Sequence, residues 1–258
     1  MSEWMRSLAE HYEEKRNLYP DDRLMILFDI DGAILDTRSM MLYALQSYDT
    51  HHQSSFFLNL NIEDITVHET EVREILTYLD VPEMHVEAVV KWYREKFWSN
   101  ESIIEAYRPF AGVMDVIRWF QLQPGTFIGL NTGRPEQFRN ETLVSLNRAG
   151  LEFHAVFADD FLYMNSCGWN GDVTTSKVAG VRHFQSLGYH IFAFIDNEPD
   201  NLEAVTRIDP SGEILLLHAD TIYKSKGESV PKGAVSGSYY DVRPLLKKKF
   251  IGGQRLYA

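Results

Sequence analysis

A chain of 258 residues that is 45% hydrophobic has enough apolar side chain to bury a sizeable core, which excludes a disordered polypeptide and allows one large domain or a domain carrying an insertion. Its 37 Asp and Glu against 25 Lys and Arg give a formal charge of -12, a balance that repels polyanions and argues against nucleic acid as a partner. The single cysteine, Cys167, excludes an intramolecular disulfide and a thiolate metal cage and is compatible with a reducing cytoplasm, where we expect the protein to act.

The segment Met1 to Tyr19 is dense in charge and has no apolar run resembling a signal peptide, so it predicts an exposed helix. Leu24 to Ile30 is a short apolar run that reads as a buried strand. From Thr37 to Arg108 the pattern turns helical, over Met40 to Ser47, Ile62 to Leu79 and Pro82 to Trp98, with no convincing strand between. Pro82 stands where a proline opens a helix, and Val86, Val89, Val90, Trp92, Tyr93 and Phe97 give that helix an apolar face for core packing. His51 and His52 are not read as a metal site, because adjacent histidines rarely point the same way and no third ligand is at hand.

Beyond the insertion, strands and helices alternate. Strands are expected at Thr126 to Leu130, more weakly at His154 to Ala158, at His190 to Ile195 and at Glu213 to His218. Helices are expected at Gly112 to Gln121, Pro135 to Ala149, Thr175 to Leu187 and Pro199 to Arg207, with Gly150 and Gly188 as C-caps. The tail from Thr221 should wrap the surface, and Lys247 to Lys249 are too few to make a nucleic-acid patch. No uncharged stretch reaches the roughly 20 apolar residues of a membrane span, so no membrane role is expected. The pattern predicts an α/β fold: a parallel sheet flanked by helices, from residues 1–36 and 109–258, with a helical insertion over 37–108.

Ligands of open parallel sheets gather at the carboxyl ends of the strands, and there the sequence is coherent. Asp29-Ile30-Asp31-Gly32 follows the first strand, Asn131-Thr132-Gly133-Arg134 the second, and Asp196-Asn197-Glu198-Pro199-Asp200 the fourth. One of Asp29 and Asp31 can attack phosphorus while the other protonates the leaving oxygen and later deprotonates water. A carboxylate approaching a phosphate needs positive charge nearby, which Mg²⁺ can supply through hard oxygen ligands; Asp29 and Asp196 are the natural pair, with Asp200 beside them. The Thr132 hydroxyl and the Gly133 amide, at the mouth of the next helix, can hold phosphate oxygens, and Lys177 adds a cation. Arg134 and Arg139 read as solvated basic residues of that helix and are left out of the catalytic set. Singly these are ordinary turns, caps and surface lysines; their order at successive strand ends is what random features would not give.

Together these residues resemble the haloacid dehalogenase (HAD) superfamily of aspartate-nucleophile phosphatases. Asp29-Ile30-Asp31-Gly32-Ala33 with Asp36-Thr37 is similar to its first motif, Thr132 to its second, Lys177 to its third, and Asp196 with Asp200 to its fourth. The resemblance implies a Rossmann-like core and Asp29 as nucleophile. It also implies Asp31 as general acid and base, and Mg²⁺ on Asp29, the Asp31 carbonyl and the motif-four acids. The insertion would be a C1-type cap. Ala33 replaces a frequent threonine, and Asn197 stands where some members have a second aspartate, which shifts weight to Asp200. The acid at Asp31 favours phosphate ester chemistry over dehalogenation. A phosphatase for a small phosphorylated molecule is therefore expected, with a phosphomutase, a phosphoryl transferase or a phospho-sensing module as alternatives. The sequence assigns no oligomeric state.

Overall fold

The computed structural model describes residues 3–168, 171–221 and 229–246. Six parallel strands form one sheet: β1 (Arg23–Phe28), β2 (Thr126–Pro135), β3 (Leu162–Asn165), β4 (Tyr189–Asp196), β5 (Leu215–Ala219) and β6 (Val235–Gly237). Their order is β3-β2-β1-β4-β5-β6, so the chain builds outward from β1 in one direction and then, from β4, in the other. β1 is hydrogen-bonded to β2 on one side, with Phe28 opposite Leu130, and to β4 on the other, with Phe28 opposite Ile195. That reversal makes the β1–β4 junction the crevice where an open sheet places its ligand.

Alternation along β1 divides the core. Leu24, Ile26 and Phe28 join the cluster containing Phe120 and Phe192, whereas Met25 and Leu27 join Val181, Phe184, Phe194, Leu202 and Val205. A strand buried on both faces must be apolar throughout, which is why β1 is legible as a continuous run. Around the sheet lie α1 (Glu3–Leu18), α6 (Val113–Gln121), α7 (Arg139–Gly150), α8 (Val173–Ser186), α9 (Pro199–Ile208) and the short α10 (Arg243–Leu246). The interval 37–108 contributes α2 (Arg38–His52), α3 (Val72–Tyr78), α4 (Glu83–Phe97) and α5 (Asn100–Glu105), and no strand among its described residues. Pro82 directly precedes α4, whose Val89, Val90, Tyr93 and Phe97 are buried.

Several expectations require correction. α1 is not exposed: Trp4, Met5, Leu8, Ala9 and Tyr12 make a buried stripe beneath its charges, and the Trp4 indole donates to the Tyr239 carbonyl. Ile62 to Leu79 is not one helix. It comprises 3₁₀ turns at Ile62–Asp64 and Glu69–Glu71 ahead of α3, because the chain is extended at Ile65 and His68. The strand expected at His154 to Ala158 lies instead at Leu162–Asn165. Ala155 and Phe157 do alternate inward, but the amides of Val156 and Phe157 are taken by the side chains of Gln121 and Asn147 rather than by a neighbouring strand. Gly188, at φ 82, follows α8 as a C-cap, whereas Gly150 is right-handed at φ -80 and is needed for the close approach of the Ala155 carbonyl. The tail supplies β6, a strand that the sequence does not announce; Lys247 to Lys249 lie outside the described residues. No helix among the described residues is long and apolar enough to cross a membrane.

Candidate active site

At the carboxyl ends of β1, β2 and β4 is a cavity of about 160 Å³. Its core wall is made by Asp29, Asp31, Thr132, Gly133, Arg134 and Lys177, and its rim includes Asn197, Glu198 and Asn201. Glu69 and Trp98 reach it from the insertion. A wider groove of about 720 Å³, between Arg23, Tyr189 and Asp209, lies at the opposite end of the sheet and holds none of the strand-end residues.

Asp29 is the first residue after β1, and its amide donates to Ile195 O at 2.8 Å, which ties it to the end of β4. Lys177 projects from α8 between the two strand ends. Its Nζ is 2.6 Å from Asp29 Oδ1, 2.8 Å from Asp196 Oδ2 and 2.7 Å from the Asn131 carbonyl. Those three contacts use all three ammonium donors, so the lysine is pinned rather than mobile. Asp196 is 0% exposed and accepts further bonds from the Glu198 amide and the Asn201 side chain at 2.8 and 3.0 Å. Burial pushes the Asp29 carboxyl up to about 8; Lys177 opposes the shift, and Asp196 and Asp31 add to it. Burial alone would lower the Lys177 ammonium, but Asp196 and Asp29 outweigh it and the net direction is upward, so the lysine stays charged.

Asp31 lies beyond the strand, in a turn that Gly32 makes at φ 79 with Asn197 packed where a Cβ would stand. Both its oxygens are held by Arg134, with Nε to Oδ2 at 2.7 Å and Nη2 to Oδ1 at 2.6 Å. Arg134 is 1% exposed, gives its remaining arm to Thr142 Oγ1 at 3.1 Å, and lies 5.7 Å from the centre of the Trp98 ring. Thr132 Oγ1 accepts from the Arg134 amide at 3.2 Å and keeps its own proton for the cavity.

The structure thus brings Asp29, Asp31, Thr132, Gly133, Lys177 and Asp196 together, and leaves Asp200 out. Asp200 is exposed in the first turn of α9, and the helical rotation of about 100° per residue turns Asn201, not Asp200, toward Asp196. Gly133 is within β2 rather than at a helix mouth, since α7 begins only at Arg139. Arg134 is not the solvated helix residue expected: it is buried in the cavity wall and paired with Asp31. The strand was ended at Leu130, whereas β2 continues to Pro135, and strand alternation then puts Arg134 on the same face as Thr132. Arg139 is a surface residue, paired with Glu136 and Asp159. His51 and His52 pack around Trp92. Asn197, which the sequence does not single out as a ligand, has its Oδ1 buried without a hydrogen-bond partner, while its Nδ2 donates to Glu198 Oε1 at 3.0 Å.

No protein-family model matches the chain. The Bacillus subtilis carboxylesterase YbfK is 29% identical over 119 residues, 42% of this chain and 37% of that protein, so the match spans little more than a third of its length. Solved structures are similar over nearly the whole chain. A predicted phosphoglycolate phosphatase from Haemophilus somnus has a TM-score of 0.52 at 12% identity, covering 88% of this chain and 100% of that one. Protein tyrosine kinase A (PtkA) of Mycobacterium tuberculosis has 0.51 at 13%, covering 88% and 98%. A predicted phosphatase from Clostridium acetobutylicum has 0.50 at 12%, covering 87% and 96%. These likenesses show the fold: the chain has an α/β, Rossmann-like architecture.

Proposed function

We propose that the protein is a Mg²⁺-dependent phosphatase of the cytoplasm that hydrolyses a small phosphate monoester through an aspartyl phosphate on Asp29. The observation that carries this reading is the buried Lys177 ammonium shared by Asp29 Oδ1 and Asp196 Oδ2 beside the Thr132 hydroxyl. It presents a carboxylate oxygen, a cation and a phosphate-oxygen donor at one point.

The donor set fits a hard cation. Asp29, Asp31 and Asp196 meet two protein cations, Lys177 and Arg134, and Asn197, a residue of the cavity rim, has its Oδ1 buried without a hydrogen-bond partner. Asp29, Asp196, Asn197 and the Asp31 carbonyl would hold the ion, which when bound neutralises phosphate charge. In this reading an Asp29 oxygen attacks phosphorus, and the bond from phosphorus to the ester oxygen breaks. That oxygen takes a proton from Asp31 and departs as the alcohol. Asp31 then removes a proton from water as the water oxygen attacks the phosphorus of the aspartyl phosphate; the bond to Asp29 breaks, releasing inorganic phosphate and restoring both acids. Thr132 and the Gly133 amide hold phosphate oxygens, and Lys177 keeps the Asp29 oxygen in place. The insertion over 37–108 is read as a C1-type cap on the core of residues 1–36 and 109–258, since Glu69 and Trp98 close the cavity from its side.

The test is phosphate release from a panel of small phosphate esters with Mg²⁺, run beside EDTA and the Asp29→Asn protein. Metal-dependent release that the variant lacks supports the reading; isomerised ester in place of free phosphate would make the protein a mutase. No product of either kind from folded, metal-replete protein would sink it.

A further inference from the structure

The two walls of the cavity differ in how their charges are matched. On the core wall, Lys177 is occupied by Asp29, Asp196 and the Asn131 carbonyl, and Arg134 by Asp31 and Thr142. On the side facing the insertion, two further carboxylates, Glu69 and Glu198, share one imidazole. His68 Nε2 is 3.3 Å from Glu69 Oε2 and 3.6 Å from Glu198 Oε1. Both acids are largely sheltered, with side chains 21% and 24% exposed. Burial raises the Glu69 carboxyl from its ordinary value, and His68 partly offsets the shift.

Hydrogen-bonding capacity is unbalanced in the same place. Glu69 and Glu198 are both acceptors, and the Asn197 amide donor is already used on Glu198. Whatever occupies this side must therefore bring donors. A leaving group with a carboxylate or a second phosphate would be repelled, and a neutral one would leave Glu69 undercompensated. An ammonium supplies positive charge and three donors together. The apolar contacts nearby, Trp98 and Val173, and a volume of about 160 Å³ suit a short aliphatic linker and little more.

Resting on the phosphatase reading above, we infer that the substrate is a phosphate ester of a short amino alcohol, its ammonium seated on Glu69 beside Trp98. Glu69 is then the residue that selects the substrate, and Asp29 and Asp31 act on whatever it admits.

A matched series tests this on the full-length, Mg²⁺-replete protein: 2-aminoethyl phosphate, 2-hydroxyethyl phosphate and phosphoglycolate, which differ at the terminal group, with p-nitrophenyl phosphate as an activated control. Wild type should favour the amine over the hydroxyl compound by about 10- to 100-fold in kcat/KM, the range of one charge-assisted hydrogen bond, and should turn over phosphoglycolate most slowly. Glu69→Gln should collapse that ratio towards one. Glu69→Lys should invert the series in favour of phosphoglycolate, an outcome that misfolding cannot produce. Turnover of all three with no amine preference, or an amine preference that survives Glu69→Lys, overturns the inference and leaves the phosphatase reading standing. Absence of turnover on every compound, p-nitrophenyl phosphate included, overturns both.

Discussion

The core wall and the insertion wall of the cavity are built to different standards. Lys177, Asp196 and Thr132 are at most 1% exposed and stand on regular elements, and Lys177 and Asp196 are held by several partners each. Glu69 and His68 stand on a three-residue 3₁₀ turn and its cap, and both are partly exposed. Chemistry that tolerates errors of a fraction of an ångström is confined to the ends of strands, where neighbouring backbone fixes each side chain. On the inference drawn above, recognition of the rest of the substrate falls to a short irregular segment that can change without disturbing the sheet. If that division holds, substitutions on the core wall should destroy rate or stability, and those on the insertion wall should alter preference.

The largest effect is expected at the nucleophile. Asp29→Asn should lower turnover by about 10⁴-fold or more with the fold intact, measured as phosphate release alongside circular dichroism. Next is Lys177→Met, which leaves Asp29 and Asp196 buried without their shared cation. It should destabilise the protein by about 3 to 5 kcal/mol in urea denaturation. A loss under about 1 kcal/mol would mean that the ammonium serves only the reaction and that the core wall is not a structural ion cluster.

A smaller effect is expected from Arg134→Gln, because the fork positions Asp31 without touching the reacting phosphorus. An alkyl phosphate, whose leaving oxygen needs a proton, should slow by about 10²-fold, and p-nitrophenyl phosphate far less. Added to Asp31→Asn, the same change should cost little more, since the two act as a unit. Multiplicative losses would instead assign Arg134 a general packing role.

What could be read from the sequence follows the same division. β1 was legible because burial on both faces demands an unbroken apolar run, and the residues after it followed from the rule that ligands sit at strand ends. Arg134 was obscured by a strand boundary: Asn131-Thr132-Gly133-Arg134 is polar enough to resemble a loop, yet it continues β2 to Pro135. Asp200 reads as a ligand because acids are the usual ligands, but on α9, which starts at Pro199 as expected, it is Asn201 that faces Asp196. Asp200→Ala should accordingly stay within about twofold of wild type, whereas Asn197→Ala should raise the Mg²⁺ concentration needed for half-maximal rate by about tenfold. Glu69 and His68 carried no signal at all. In a segment taken for one long helix they look like solvated polar residues, and only the break before α3 turns them towards Glu198 and the cavity.

His68 is where the two walls touch, and its ring is under opposing demands. Nδ1 meets the Thr70 amide at 3.3 Å, which an unprotonated nitrogen accepts, and the Thr70 hydroxyl at 2.9 Å, to which a protonated one donates, while Nε2 faces Glu69 and Glu198, which favour the imidazolium. The nearby Glu198 carboxylate raises the His68 pKa; burial lowers it, Glu69 raises it again, and the net direction is upward. A histidine raised on folding gives stability that is fully present below its unfolded value of about 6.5 and is lost as pH rises through the folded value. The stability difference between wild type and His68→Gln should therefore be about 0.5 to 1 kcal/mol at pH 6 and should shrink towards pH 9.5. A difference that is constant, or that grows with pH, would show that the Thr70 cap prevails and that His68 joins the walls as a neutral hydrogen-bond donor. The carboxylates of Glu69 and Glu198 would then have no cation of their own, and the need for a positively charged leaving group would be greater.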